Sequence, residues 1–157
     1  MFMHFINRGN LLLGAASFAV TMPALAANFP PIAAYRNPGC GCCEKWAERL
    51  RQAGFTVTME DDPALDQRRA KLGVPAELSG CHSATMGEYV IEGHVPPEDI
   101  VSFLASKSNA TGLAVPGMPV GSPGMESGET AEAYDVFVFT AGRSPAMTRR
   151  GMVENLG

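Results

Sequence analysis

No stretch of this 157-residue sequence is apolar for the roughly 20 residues that a membrane-crossing helix needs. The opening apolar run, Leu11 to Val20, covers only 10 residues. No basic tract interleaves with aromatic residues, and the formal charge is −4, so the composition excludes nucleic acid as the partner class. Cysteine is absent before position 40, so no lipobox cysteine closes the opening segment. Arg8 has no arginine neighbour, which favours general export over folded-protein export through a twin-arginine signal.

What the opening does contain is an export layout. Residues 1–26, MFMHFINRGNLLLGAASFAVTMPALA, run from a short region with Arg8 and no acid, through the apolar stretch, to Pro23 and a small-x-small ending at Ala26. This is the pattern of a cleavable signal peptide. Removing those 26 of 157 residues leaves 131, residues 27–157, which suits one compact domain. Losing Arg8 shifts the formal charge to −5. The mature form then has no membrane span and meets an oxidising compartment, where thiols become disulfides or are held by metal.

The mature segment reads as alternating elements. Ile32 to Arg36 is a short strand that ends in the turn signal Asn37-Pro38-Gly39. From Cys43 to Ala53, Trp46, Ala47, Leu50 and Ala53 fall at helical spacing, with Gly54 as the stop. Phe55 to Met59 alternates as a strand. Asp62, as N-cap, and Pro63 then open a helix through Leu72, closed by Gly73. Ser79 to Thr85 and Glu88 to Val95 read as a hairpin across Met86-Gly87. Pro96 to Asp99 starts a third helix with Ile100, Val101, Phe103 and Leu104 as its buried stripe. This order, β-α-β-α-β-β-α, predicts an α/β, thioredoxin-like fold with a central mixed sheet flanked by helices. Lys107 to Ala133 has neither helical nor strand period and reads as a long Gly/Pro/Met loop, which repeats Pro-Gly-Met at 116–118 and 123–125. Tyr134 to Phe139 is a C-terminal strand followed by an Ala141-Gly142 turn.

The chemistry concentrates in Cys40-Gly41-Cys42-Cys43, three cysteines in four positions ahead of a helix, with Cys81 as the fourth of the chain. Cys42 and Cys43 are neighbours with one distant partner, so two long-range disulfides cannot form. Cys40 and Cys43 make a C-x-x-C pair at a strand-to-helix junction, a thiol-disulfide motif in which Cys40 attacks and Cys43 resolves. The same pair, or Cys43 with Cys81, could instead close a purely structural disulfide. The extra Cys42 points to metal: a helix N-terminus stabilises anionic sulfur, but three thiolates in one turn repel and call for a soft cation. Zinc prefers a closed tetrahedron from separated chelating pairs. The Pro-Gly-Met repeats, with Met118 and Met125, offer thioethers that suit Cu(I), so copper ranks ahead of zinc. Adjacent strand residues face opposite ways. Cys81 is therefore the expected ligand, and His82 joins it only if the strand bends there. His94 is a weaker candidate. Met59 and Met86 read as core or turn residues, and Trp46 as packed under the cysteine turn.

Three blocks, YRNPGCGCCEKWAERLRQAGF, GVPAELSGCHSATMGEYVIEGHVPPEDI and GLAVPGMPVGSPGME, in this order, resemble the CopG-type copper-resistance proteins, periplasmic metal-binding proteins of Gram-negative bacteria. The resemblance runs from about Tyr35 to Phe139. It implies a thioredoxin-like fold and several copper ions bridged by thiolates of Cys40, Cys42, Cys43 and Cys81, with His82, Met118 and Met125 as further ligands. It also implies interconversion of Cu(I) and Cu(II) in copper detoxification. The expected partners are copper ions and periplasmic copper chaperone or efflux components.

Overall fold

A computed structural model describes residues 29–142 in full, and the strand Ala146–Met152 through its backbone. The expected signal peptide and the tail after the last strand lie outside the described residues. The elements follow the order β1 (Ile32–Arg36), α1 (Gly41–Gln52), β2 (Val57–Asp61), α2 (Leu65–Leu72), β3 (His82–Met86), β4 (Tyr89–Glu92), α3 (Pro97–Ser106), β5 (Gly112–Ala114), β6 (Tyr134–Phe139) and β7 (Ala146–Met152). A single 3-10 turn, Ala76–Leu78, stands between α2 and β3. The strands form one mixed seven-stranded sheet in the order β2-β1-β3-β4-β5-β6-β7. The β1–β2 and β4–β5 pairs are parallel and the others antiparallel.

Alternation along the strands divides the core between the two faces of this sheet. Ile91 and Leu113 point into one cluster, where Trp46, Ala47 and Leu50 of α1 meet Ile100 and Phe103 of α3. Val90 and Ala114, their neighbours in sequence, point the other way and join Val74, Leu78 and Phe139. The apolar residues of α1 at i, i+3, i+4 and i+7 (Cys43, Trp46, Ala47, Leu50) are all buried, which is why this segment forms a helix against the sheet. Among the described residues, no helix is long and apolar enough to cross a membrane.

Several boundaries differ from the sequence reading, each for a local reason. β2 begins two residues later, because the amide of Phe55 is taken by the carbonyl of Leu50 at the end of α1. Asp62 does not cap α2. Its Oδ1 accepts the Ala64 amide at 2.9 Å, closing a turn before a helix that starts at Leu65 with Ala64 as N-cap. Gly73 does close that helix, in the left-handed conformation (φ 73°). Val101 is 40 % exposed, so the buried side of α3 is carried by Ile100 and Phe103, with Leu104 packed at its edge. The segment after Lys107 is more ordered than its composition implies, since it contributes β5 between β4 and β6. Gly112 is required there: a Cβ would lie 1.8 Å from the Val90 carbonyl oxygen.

Candidate metal centre

The site lies at one end of the sheet, where β1 and β4 finish and β3 begins. β1 delivers Asn37-Pro38-Gly39, a turn closed by the Cys40 amide on the Asn37 carbonyl at 3.2 Å, with Gly39 at φ 81°. Cys40 is the N-cap of α1 in an extended conformation, so Cys40, Cys42 and Cys43 occupy the cap and first turn. Their sulfurs therefore sit in the positive field of the helix N-terminus. Arg36 ties the turn down, donating to the Cys40 carbonyl at 3.0 Å and to Asp61 at 2.8 Å.

Cys81 arrives from the opposite side, and two glycines make its approach possible. A Cβ on Gly80 would lie 2.6 Å from Gly93 Cα, and one on Gly93, at φ 69°, would lie 2.3 Å from the Val115 carbonyl oxygen. The chain leading to Cys81 thus crosses directly against the chain leading to His94. A buried polar cluster fixes the crossing. Glu92, with no exposed side-chain surface, accepts from Arg69 Nε at 2.7 Å, from the Gly80 amide at 2.8 Å and from the Ser83 hydroxyl. Arg69 is also bound by Asp66 at 2.8 Å and donates to the Gly80 carbonyl. Burial pushes the Glu92 carboxyl up, against the pull of Ser83, Gly80 and Arg69.

These two approaches bring all four cysteine sulfurs within 4.8 Å of one another. Cys40 and Cys43 are joined as a disulfide, while Cys42 and Cys81 are free thiols. The Cys42 sulfur lies 3.4 Å from that of Cys40 and 3.8 Å from that of Cys81, and Cys43 and Cys81 are 3.4 Å apart. Cys81 also belongs to a second donor group, with His82 and His94. Its sulfur is 2.8 Å from His94 Nε2 and 3.4 Å from His82 Nδ1.

The state of His94 follows from its other nitrogen. Nδ1 faces the Pro123 carbonyl at 2.7 Å, and a carbonyl only accepts, so Nδ1 carries the proton and Nε2 presents its lone pair to Cys81. A backbone carbonyl on the far nitrogen is the usual support of a metal-binding imidazole. Burial holds His94 below the ordinary histidine range. His82, wholly buried, is pushed well below it by burial, with His94 and Arg69 adding to the effect. Both rings are thus neutral donors. Burial pushes the Cys81 thiol up, and the Cys42 charge adds to it, so Cys81 keeps its proton and donates it to His94. A soft cation in place of that proton would remove both the desolvation cost and the sulfur–sulfur repulsion. The two free thiols and two neutral imidazoles fit such an ion, and reduction of the disulfide would add two more sulfurs.

Among the residues read from sequence, Cys40, Cys42, Cys43, Cys81 and His82 come together. His82 does so because Cys81 lies in the bend before β3, outside the alternating strand. Trp46 lies beneath, fully buried, its Nε1 donating to the Val95 carbonyl at 3.0 Å and its ring 4.2 Å from that of His82. Met86 is buried and Met59 packs against the core. Both Pro-Gly-Met repeats border the site through their glycines. Gly117 bridges to Gly80, and Gly124 lies so close to α1 that a Cβ would meet the Trp46 amide nitrogen at 2.5 Å and the Cys42 carbonyl oxygen at 2.7 Å. Met118 is 53 % exposed and Met125 half-buried. Sequence reasoning undervalued His94 and passed over Glu92 and Arg69. The available signal was Glu92-Gly93-His94, a glycine before a donor that mirrors Gly80-Cys81.

The family described as "Protein of unknown function, DUF411" matches residues 78–125, the stretch carrying Cys81, His82, His94 and both Pro-Gly-Met repeats. No curated protein matches the chain. Two solved structures are similar to it, titled copper resistance protein copG form 1 and form 2, at 38 % and 37 % identity. Each comparison covers 77 % of this chain and 97 % of the other, with a TM-score of 0.72.

Proposed function

Starting from the premise that this chain belongs to the CopG family of copper-resistance proteins, we propose that it binds copper, mainly Cu(I), in a multinuclear cysteine-thiolate site that serves copper tolerance. The observation that carries this reading is the meeting of four cysteine sulfurs within 4.8 Å at a helix N-terminus. Four sulfurs from two approaching segments exceed what one C-x-x-C pair needs, and bridging thiolates let them share several soft ions. Cys40, Cys42, Cys43 and Cys81 are the proposed bridging ligands, with His82 a further nitrogen ligand and Met118 and Met125 thioether ligands at the rim. Cys40 and Cys43 must be reduced for this, which frees their sulfurs to act as ligands.

Three finer assignments accompany the proposal. The β2-β1-β3-β4 sheet order with crossing helices supports a thioredoxin-like core. The signal-like first 26 residues support export to the periplasm, where copper chaperone or efflux components would be the exchange partners. Neutral imidazoles beside thiolates accommodate both Cu(I) and Cu(II), which supports interconversion of the two states. Titration of the anaerobic, fully reduced chain with Cu(I) against a competing chelator tests the central reading. Tight uptake of more than one copper, lost in Cys42→Ser, supports it. Binding no tighter than to an unfolded thiol peptide defeats it. A second reading, thiol-disulfide exchange at Cys40 and Cys43, is favoured by the disulfide between them. It predicts disulfide reductase activity that survives Cys42→Ser and vanishes in Cys40→Ser.

A further inference from the structure

The disulfide divides the donors of the site unequally. With Cys40 and Cys43 joined, four donors remain: the thiols of Cys42 and Cys81 and the rings of His82 and His94. Three of these, Cys81, His82 and His94, form a compact group of their own within 4.8 Å. We propose that the disulfide form holds a single metal ion between Cys81 Sγ, His94 Nε2 and His82 Nδ1, a site of one thiolate and two imidazoles that works when the four-sulfur site is closed. The ion class is a borderline divalent cation, and the natural occupant is Cu(II). That last identification rests on the copper reading above, whereas the site itself does not.

The spacing is close to that of donors on one ion. Ligand bonds of about 2.3 Å to sulfur and about 2.0–2.1 Å to nitrogen place neighbouring tetrahedral donors about 3.5 Å apart. His82 Nδ1 already stands 3.4 Å from Cys81 Sγ, and His94 Nε2, at 2.8 Å, needs to retreat by less than an ångström. The His94 lone pair is aimed by the Pro123 carbonyl. The His82 ring is held by packing on Trp46 and by the edge of His94, with centroids at 4.2 and 5.1 Å, and its buried Nε2 has no hydrogen-bond partner. Its tautomer is therefore free to follow an ion placed at Nδ1. One thiolate with two imidazoles is the set that holds copper in trigonal sites completed by a weak axial ligand. A lone Cys81 thiolate between neutral rings accepts Cu(II) without the crowding of the reduced cluster.

Cobalt(II) is the probe, because thiols do not reduce it and its spectrum reports coordination. The full mature chain is prepared with two free thiols, its disulfide verified by mass, and titrated anaerobically. One equivalent producing a thiolate-to-cobalt charge-transfer band with intense tetrahedral visible bands is expected. His94→Ala should weaken binding by at least about tenfold, and Cys42→Ser should retain the one-equivalent site. Paramagnetically shifted, exchangeable imidazole N–H resonances from two histidines should be present in the unaltered chain, a readout that needs no variant. Absence of the charge-transfer band, absence of those resonances, or a band that depends on Cys42 and ignores His94 overturns the proposal. The reduced-chain Cu(I) titration is a separate preparation, so either reading can fail while the other stands.

Discussion

Replacing Glu92 by Gln tests how the fold aims Cys81. The substitution keeps the volume of the side chain but removes the charge that faces Arg69 at 2.7 Å in a fully buried setting. Arg69 retains only Asp66, whose side chain is 94 % exposed, and the Gly80 carbonyl. Removing one partner of a buried ion pair costs about 3–5 kcal/mol. At about 4 °C per kcal/mol for a domain of this size, the melting temperature should fall by about 12–20 °C. Glu92 also accepts the Gly80 amide, one residue before Cys81, and Gln keeps an oxygen for that bond. Metal affinity should therefore fall about 10–100-fold only where the acceptor itself is removed, as when the outer support of a ligand is lost. A double variant, Arg69→Met with Glu92→Leu, separates the two effects. An apolar pair of similar volume restores most of the stability but leaves the Gly80 amide without its acceptor. Differential scanning calorimetry and competitive metal titration read both quantities. A Glu92→Gln melting point within about 2 °C of the parent (under the smallest loss that a buried pair allows), or full metal affinity in the double variant, would refute this role for Glu92.

Gly93→Ala should cost about 2 kcal/mol or more in chemical denaturation, since its Cβ would meet the Val115 carbonyl oxygen at 2.3 Å from a left-handed backbone. Gly39→Ala, at φ 81° with nothing within 4 Å, should show only the backbone penalty of about 1–2 kcal/mol and leave the hairpin crossing intact. Trp46→Phe leaves the buried Val95 carbonyl without its donor, so a loss of about 1–3 kcal/mol is expected. It should also alter the environment of the His82 ring, visible as a shift of its NMR resonances.

The parts legible in the sequence were those set by local periodicity. The strands Ile32–Arg36 and Tyr134–Phe139 and the buried stripe of α1 follow from alternation and from i, i+3, i+4 spacing. β5 was not legible, because three residues beginning with glycine carry no period, and it is ordered by its neighbours on both sides. Asp62-Pro63 has the composition of a helix start, but Asp62 spends its oxygen on a turn. In the candidate site, the cysteine positions announced themselves by density. His94 did not, since its placement depends on Gly80 and Gly93 meeting back to back, a contact between segments 13 residues apart. Glu92 was passed over inside the expected strand 88–95 and is the buried acceptor that holds the Cys81 turn.

X-ray absorption at the copper edge of the reduced, Cu(I)-loaded chain tests the four-sulfur site most directly. A first shell dominated by sulfur together with a short copper–copper vector is the predicted result, because four sulfurs this close can serve several ions only by bridging. A single copper with no copper–copper scattering, or a shell of nitrogen and oxygen alone, would contradict it.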